Sequence, residues 1–336
     1  MSGVIVFAVM PAGRVDPVVL TSGDGLPGGV KILSAGALEA VVGPAPEGGL
    51  KGRDRSMLLP WLLAREKMME RLLALTPVLP VILGTELEDD ARVRHLLDRG
   101  GDVLQDALGT LGTRIEMNLT VRWALDAVVA RLLGGMSPAL RAAAERGDAA
   151  ARQALGAQLG ALVASERQEV RCRVVEHLAP AVSDLIVTES SAQEDVAGFA
   201  LLLDREAEAG LDAALEALDL AFAGALSFRL VGPLAPYSFA SVDVHLSPLD
   251  AVQAARAELG VAADIDPKAL KEVYRKALRQ VHPDLVALRS QSELEADPDE
   301  ENGPSEGFLA VSAAYRILEA EDAPVSVRRQ DGLSIG

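Results

Sequence analysis

Few residues in this 336-residue chain have the type and spacing to do chemistry, and the densest group lies near its C-terminal end. The run from Ile265 to Asp284 closes on His282-Pro283-Asp284. A histidine two residues from an aspartate has the composition of an acid–base dyad, but Pro283 between them imposes a fixed loop geometry better suited to docking than to proton transfer. Just upstream, Lys268, Lys271, Arg275, Lys276 and Arg279 fall on one side of the segment, with Glu272 the only acid among them. A cationic row followed by a rigid loop equips a docking element; it equally describes a solvated helix face followed by an ordinary turn. The other candidates are poorer. Glu176-His177 reads as a pair of surface residues inside a helix, not as an acid–base pair. The glycine-rich stretch Ser22 to Gly29 lacks both the Lys-Ser/Thr of a P-loop and the G-x-G-x-x-G spacing. Nowhere can a nucleophile, a base and an orienting group be placed together, so no enzyme is expected.

The elements that must position the docking candidates are legible. Leu270, Val273, Tyr274, Ala277, Leu278 and Val281 repeat as one buried helix face, opposite the cations. Asp266 can cap the free N–H groups, Pro267 at the first helical position needs no partner, and Ile265 and Leu270 stand where a hydrophobic staple closes. Pro283 ends the helix at about Val281. A second helix places Phe308, Val311, Tyr315 and Leu318 on one face, with Ala314 beside them. The pair, and the tripeptide between them, resembles the J domain of DnaJ-type co-chaperones. Ala254 to Val261 looks like its first helix and turn, and Ala313 to Leu318 like its third helix. The resemblance covers residues 250–322 and implies docking on a DnaK-type Hsp70 and stimulation of its ATPase. It places Lys271, Arg275, Lys276 and Arg279 toward the partner, with His282, Pro283 and Asp284 as trigger. The chain departs from that family in having Leu285 where a lysine is usual, and in the long Leu285–Gly307 connection. That connection carries an acidic run from Glu293 to Glu301, expected as a flexible solvated loop. Residues 323–336 read as a tail, so the segment that selects a client is expected upstream.

Composition sets the remaining limits. The length suffices for two or three domains. Hydrophobic residues make up 49% of the chain and aromatics only 3%, so the cores must be built from Leu, Val and Ala. The single cysteine, Cys172, excludes an internal disulfide and a cysteine-based zinc site, and four scattered histidines suggest no metal cluster. No cofactor is expected. A formal net charge of −17 argues against non-specific binding to nucleic acid or anionic membrane. No apolar run reaches membrane-spanning length despite a mean hydropathy of +0.22, and Met1 to Val9 lacks a basic flank, so a cytoplasmic protein is expected.

Along the chain, Gly3–Val9 and Leu38–Val42 read as strands, Asp54–Leu75 as a helix, Val78–Leu83 as a short buried strand, and Glu88–Leu111 as one helix. Thr113–Trp123 is the clearest strand: Ile115, Met117, Leu119, Val121 and Trp123 alternate with Arg114, Glu116, Asn118, Thr120 and Arg122. One face must meet a core and the other water or a partner. Arg131–Gly147, with Gly134-Gly135 and Pro138, reads as a domain junction. A helix over Ala149–Leu178, strands at Ala181–Val187 and Asp195–Leu203, a helix over Asp204–Ala223 and a strand at Leu226–Val231 suggest a ferredoxin-like α+β sandwich.

Three further segments stand out in the first 245 residues: Leu79-Pro-Val-Ile-Leu-Gly-Thr85, the Leu-rich stretch from Leu104 into the Glu116-led strand, and Gly232-Pro-Leu-Ala-Pro-Tyr-Ser-Phe239. With these segments the first 245 residues resemble the GvpL/GvpF family of gas vesicle proteins, which has Leu-Pro-Val-Arg-Phe-Gly-Thr, a Leu-rich helix followed by a Glu-led strand, and a similar closing segment. Ile82 and Leu83 stand for its Arg-Phe, and Leu234 and Ala235 for its Trp-Pro. Gly84, Gly232, Pro233 and Pro236 either set turns or contact a partner, with a fold role favoured. The resemblance implies a non-catalytic accessory role in building gas vesicles. The sequence therefore reads as α+β: an α/β domain over 1–130, a ferredoxin-like domain over 148–245, a J-like helical hairpin over 250–322, and the tail. The expected activity is to bind gas vesicle shell protein or an assembling vesicle, beside other gas vesicle accessory proteins, and to bring Hsp70 to it. Two alternatives stand: a minor structural vesicle component with a degenerate hairpin, or a general J-protein serving another client.

Overall fold

The computed structural model describes residues 3–21, 29–46, 49–50, 54–189, 192–281 and 306–331. Contacts group the chain into two compact units, Met1–Met68 with Leu79–Thr110 and Val242–Val327, and Met69–Val78 with Leu111–Ser241 and Arg328–Gly336. The linear boundaries drawn from sequence do not coincide with these units.

The first unit starts at β1 (Val4–Pro11), where Ile5 to Met10 are all at most 2% exposed. This is why the sequence there runs apolar without alternation: a central strand is covered on both faces. After α1 (Val18–Thr21), β2 (Lys31–Ala35) and β3 (Leu38–Pro44) form a hairpin across Gly36, whose φ of +57° suits the first position of a two-residue turn. Sequence reading gives β3 but not β2, which buries only Leu33 fully. Next come α2 (Arg55–Leu73) and the two short strands β4 (Leu79–Pro80) and β5 (Glu86–Leu87), which both pair with β1. The order is β2-β3-β1-β4, every pairing antiparallel.

Register slips between Val6 and Ala8, which leaves Phe7 as the extra residue of a bulge. Its ring lies 6.2 Å from that of Trp61 on α2. A Cβ at Gly43 would stand 2.9 Å from the same ring, so this crossing requires glycine. Of the strand expected at Val78–Leu83, the ladder uses only β4. Val81 then donates to Phe7 O at 3.0 Å, and the chain turns. Thr85 N–H and Oγ1 both bond Ile82 O, at 3.2 and 2.7 Å, around Gly84 with φ +87°.

Two helices, not one, follow: α3 (Asp90–Arg99), capped by Asp89, and α4 (Gly101–Leu111). The break falls at Gly100, where a Cβ would meet Val325 Cγ2 at 2.5 Å and Leu96 O at 2.8 Å. Val325 is seated where that Cβ would stand, so the position requires glycine.

In the second unit, β6 (Ile115–Trp123) buries Ile115, Met117, Leu119, Val121 and Trp123 as its alternation requires. The opposite face departs from expectation at Glu116, which is 1% exposed and so is turned away from water. The expected junction at Arg131–Gly147 is helical: Gly134-Gly135 closes α5 (Leu125–Gly135) and Pro138 opens α6 (Pro138–Glu145). The helix α7 (Ala149–Leu178) starts at Asp148, whose carboxylate accepts from Ala150 and Ala151. It is followed by β7 (Asp184–Thr188), β8 (Asp195–Leu203), α8 (Glu208–Ala221) and β9 (Leu226–Leu234). Strand order is β7-β8-β6-β9, again all antiparallel. The core lies between this sheet and the apolar sides of α7 and α8, through Val170, Val174, Leu178, Leu211 and Leu218.

The chain then forms β10 (Ser241–Val244) and three helices, α9 (Leu249–Leu259), α10 (Pro267–Val281) and α11 (Glu306–Asp322). Val252, Ala255 and Leu259 of α9, Leu270 of α10, and Val311, Ala314 and Leu318 of α11 form one buried cluster. The segment expected to be a tail forms β11 (Val325–Arg328), paired with β10. Beyond it, in the second unit, Arg329 is ion-paired to Asp184 and stands 5.6 Å over Phe239, while Gln330 N–H donates to Ser238 O at 2.8 Å.

Candidate functional site

The docking candidate is built on α10. Asp266 accepts from Lys268 N–H at 2.9 Å and Ala269 N–H at 3.3 Å, and Pro267 opens the helix, so the start is the one its sequence specifies. Ile265, Val273, Tyr274, Ala277 and Leu278 pack against the three-helix cluster. Tyr274 stacks on Tyr315 of α11 with ring centroids 4.0 Å apart and planes 15° from parallel. The Tyr315 hydroxyl donates to Glu319 at 2.9 Å, and burial first, then this bond, raises the phenol above its ordinary pKa.

With one face committed to the cluster, the cations are left outside. Lys271, Arg275, Lys276 and Arg279 are all exposed, over about 12 Å of helix. Among the described residues none of the four is in an ion pair, so the row presents its charge to solvent. His282, Pro283 and Asp284, together with the acidic run of the connection, lie outside the described residues.

What mounts this cluster is a set of residues that sequence reasoning missed. Arg92 of α3 is buried and donates to Glu321 of α11 through both terminal nitrogens, at 2.6 and 2.8 Å, and to Ser247 O at 2.9 Å. The hydrogen bond to Glu321 raises the guanidinium pKa, against the opposing effect of burial. His95 Nε2 lies 3.2 Å from Glu321 O, and Arg99 reaches Asp322 at 3.3 Å. The spacing Arg92, His95, Arg99 puts all three on one helix face, a signal present in the sequence but without a recognisable target.

Two of the three family-like segments meet in the second unit. Glu116, leading β6, accepts from Ser238 N–H at 2.8 Å and from Ser238 Oγ at 2.9 Å. A Cβ at Gly232 would fall 2.4 Å from Met117 Sδ and 3.0 Å from Glu116 O, so the closing segment passes against β6 only because it carries glycine there. Ala235, Pro236 and Ser238 are buried. These positions therefore act on the fold. Other candidates stay apart: His177 Nδ1 lies 2.7 Å from Arg173 O within its own helix turn, and Cys172 is half-buried. Among the described residues no group of three His, Cys, Asp or Glu is placed to hold a metal, and no helix is long and apolar enough to cross a membrane.

Two antiparallel sheets with helices packed on them define a mixed α/β protein, and solved structures share the arrangement. The gas vesicle protein GvpF of Anabaena sp. PCC7120 superimposes with a TM-score of 0.58 at 17% identity, over 70% of this chain and 95% of that one. GvpF of Microcystis aeruginosa gives 0.56 at 19% identity, over 70% and 98%. No curated protein matches the chain in sequence. The family described as gas vesicle synthesis protein GvpL/GvpF matches residues 3–241, and the chain belongs to that family. The helical cluster and β11 lie beyond the matched residues.

Proposed function

We propose that this protein is a non-catalytic, cytoplasmic accessory factor of gas vesicle assembly. In this reading residues 1–245 bind shell protein or the assembling vesicle, alongside other gas vesicle accessory proteins, and residues 250–322 act as a J-like module that recruits a DnaK-type Hsp70. Family membership supports the first half. The β-α-β-β-α-β order from β6 to β9 further supports a ferredoxin-like second domain. A subunit made to form a shell carries apolar surface and open strand edges that aggregate when left free, and an acidic carrier with a net charge of −17 can keep it in solution.

One observation carries the second half: a capped helix, buried along one face in a three-helix cluster, that leaves Lys271, Arg275, Lys276 and Arg279 exposed as a row. Bringing Hsp70 onto the client in this way raises its local concentration without any new contact. The test is single-turnover ATP hydrolysis by the host Hsp70, with the full chain and with His282→Gln. Stimulation by the parent that is lost in the variant is expected. Absence of stimulation by the parent removes the Hsp70 half of the reading and leaves an assembly scaffold.

A further inference from the structure

A helix leaves its first N–H and last C=O groups unpaired, and a self-contained module closes those ends with its own residues. The α9–α11 cluster does so at the end of α9, through Gly260, and at the start of α10, through Asp266, but not at the start of α9 or the end of α11. At the N-terminus of α9 the cap position is Pro248, which forms no side-chain cap, and Leu249 N–H instead donates to Glu88 at 2.8 Å. The C-terminal turn of α11 is met by three residues of α3. His95 reaches Glu321 O, Arg99 reaches Asp322, and Arg92 holds the Glu321 carboxylate in a two-pronged grip. Negative charge at one helix start and positive charge at the other helix end are the signs that each terminus favours. The Arg92 and Glu321 side chains are only 7% and 13% exposed, so neither charge has water as a substitute partner. Just beyond, Val325 fills the notch at Gly100, and β11 adds to β10.

From this we infer that the α3 face bearing Arg92, His95 and Arg99, with Glu88 just ahead of the helix, is a dock for the helical module, with Arg92 the positioning residue. The module is mounted on the rest of the first unit, not tethered to it. The α10 cations keep a set bearing to the first sheet, and a partner held there acts along a fixed direction. The inference concerns segments on both sides of the boundary of the family match, and it rests on the proposed function only for the partner's identity.

The test uses the full chain in a Cys172→Ser background, spin-labelled at Ser34→Cys and Gln280→Cys, both outside the basic row. One narrow distance distribution is expected for the parent. Arg92→Gln is expected to broaden it at least twofold, and Glu321→Gln to broaden it less. The charge-exchanged pair Arg92→Glu with Glu321→Arg is expected to return it toward the parent width. That rescue is not expected of a variant that has merely lost stability. A broad distribution in the parent, or a narrow one in Arg92→Gln with Glu321→Gln also unchanged, overturns the dock. Hsp70 stimulation measured on the same samples separates the two claims. A parent that gives a narrow distribution and no stimulation, with Arg92→Gln broadened as expected, refutes the partner and upholds the dock.

Discussion

The two sheets share one plan and fill it differently. In each, the first strand of the unit lies between the third and the fourth, giving β2-β3-β1-β4 and β7-β8-β6-β9, with antiparallel neighbours throughout. The first crossover holds only the four-residue α1 among its described residues, whereas the second carries α5, α6 and α7. The central strands differ more. β1 is apolar from Ile5 to Met10 and is locked by shape, through the Phe7 bulge, Trp61 and the bare Gly43. β6 carries a carboxylate at 1% exposure and is locked by hydrogen bonds from Ser238. The same strand order thus accepts a steric lock or a polar one. The two fail differently, because a cavity loses contact and transfer energy whereas a broken polar pair leaves a buried group unsatisfied.

The largest effect expected on this contrast comes from Phe7→Ala, which empties the bulge and should destabilise the first unit by about 3–5 kcal/mol. Urea unfolding followed by Trp61 fluorescence measures it, and a loss under about 1 kcal/mol would mean that the bulge is not a steric lock. Glu116→Ala should cost about 1.5–3 kcal/mol, since a charge-assisted pair is lost and Ser238 N–H stays buried without its acceptor. Ser238→Ala should cost only about 1 kcal/mol, because the backbone N–H still holds the carboxylate. Equal losses for the two would show that the hydroxyl, not the backbone, carries the lock.

The helical cluster offers the smallest and most selective effect. Tyr315 has its pKa raised in the fold, so its contribution is whole below the unfolded value and declines as pH rises through the folded one. Stability of the cluster should therefore fall above about pH 10 with a slope that Tyr315→Phe removes. An unchanged slope in Tyr315→Phe would assign it to other groups.

Local signals in the sequence survived into the structure. The Asp266-Pro267 start of α10, the span Ala149–Leu178 of α7 and the alternation of β6 are set by residues within a few positions of each other. What was not legible depends on distant partners. β6 pairs with residues 195–203 and 226–234, so its membership of the second sheet could not be read from its own pattern. Gly134-Gly135 and Pro138 mark helix ends as glycine and proline do, but those ends belong to α5 and α6, not to a boundary between domains. Position 100 has to be glycine because of Val325, which lies far along the chain. The basic row of the docking candidate was legible because exposure follows from the opposite face being apolar. Its mount was not, since Arg92 and Glu321 are ordinary surface types whose burial only the fold reveals.

The pairing of β10 with β11 also sets an order of events during synthesis. Ser241–Val244 leaves the ribosome about 80 residues before Val325–Arg328, an interval of roughly 4–16 s at 5–20 residues per second. For that time the edge of β10 is open and the notch at Gly100 is empty. A ribosome stalled anywhere between the two strands would display both features on a nascent chain that cannot yet finish its first unit.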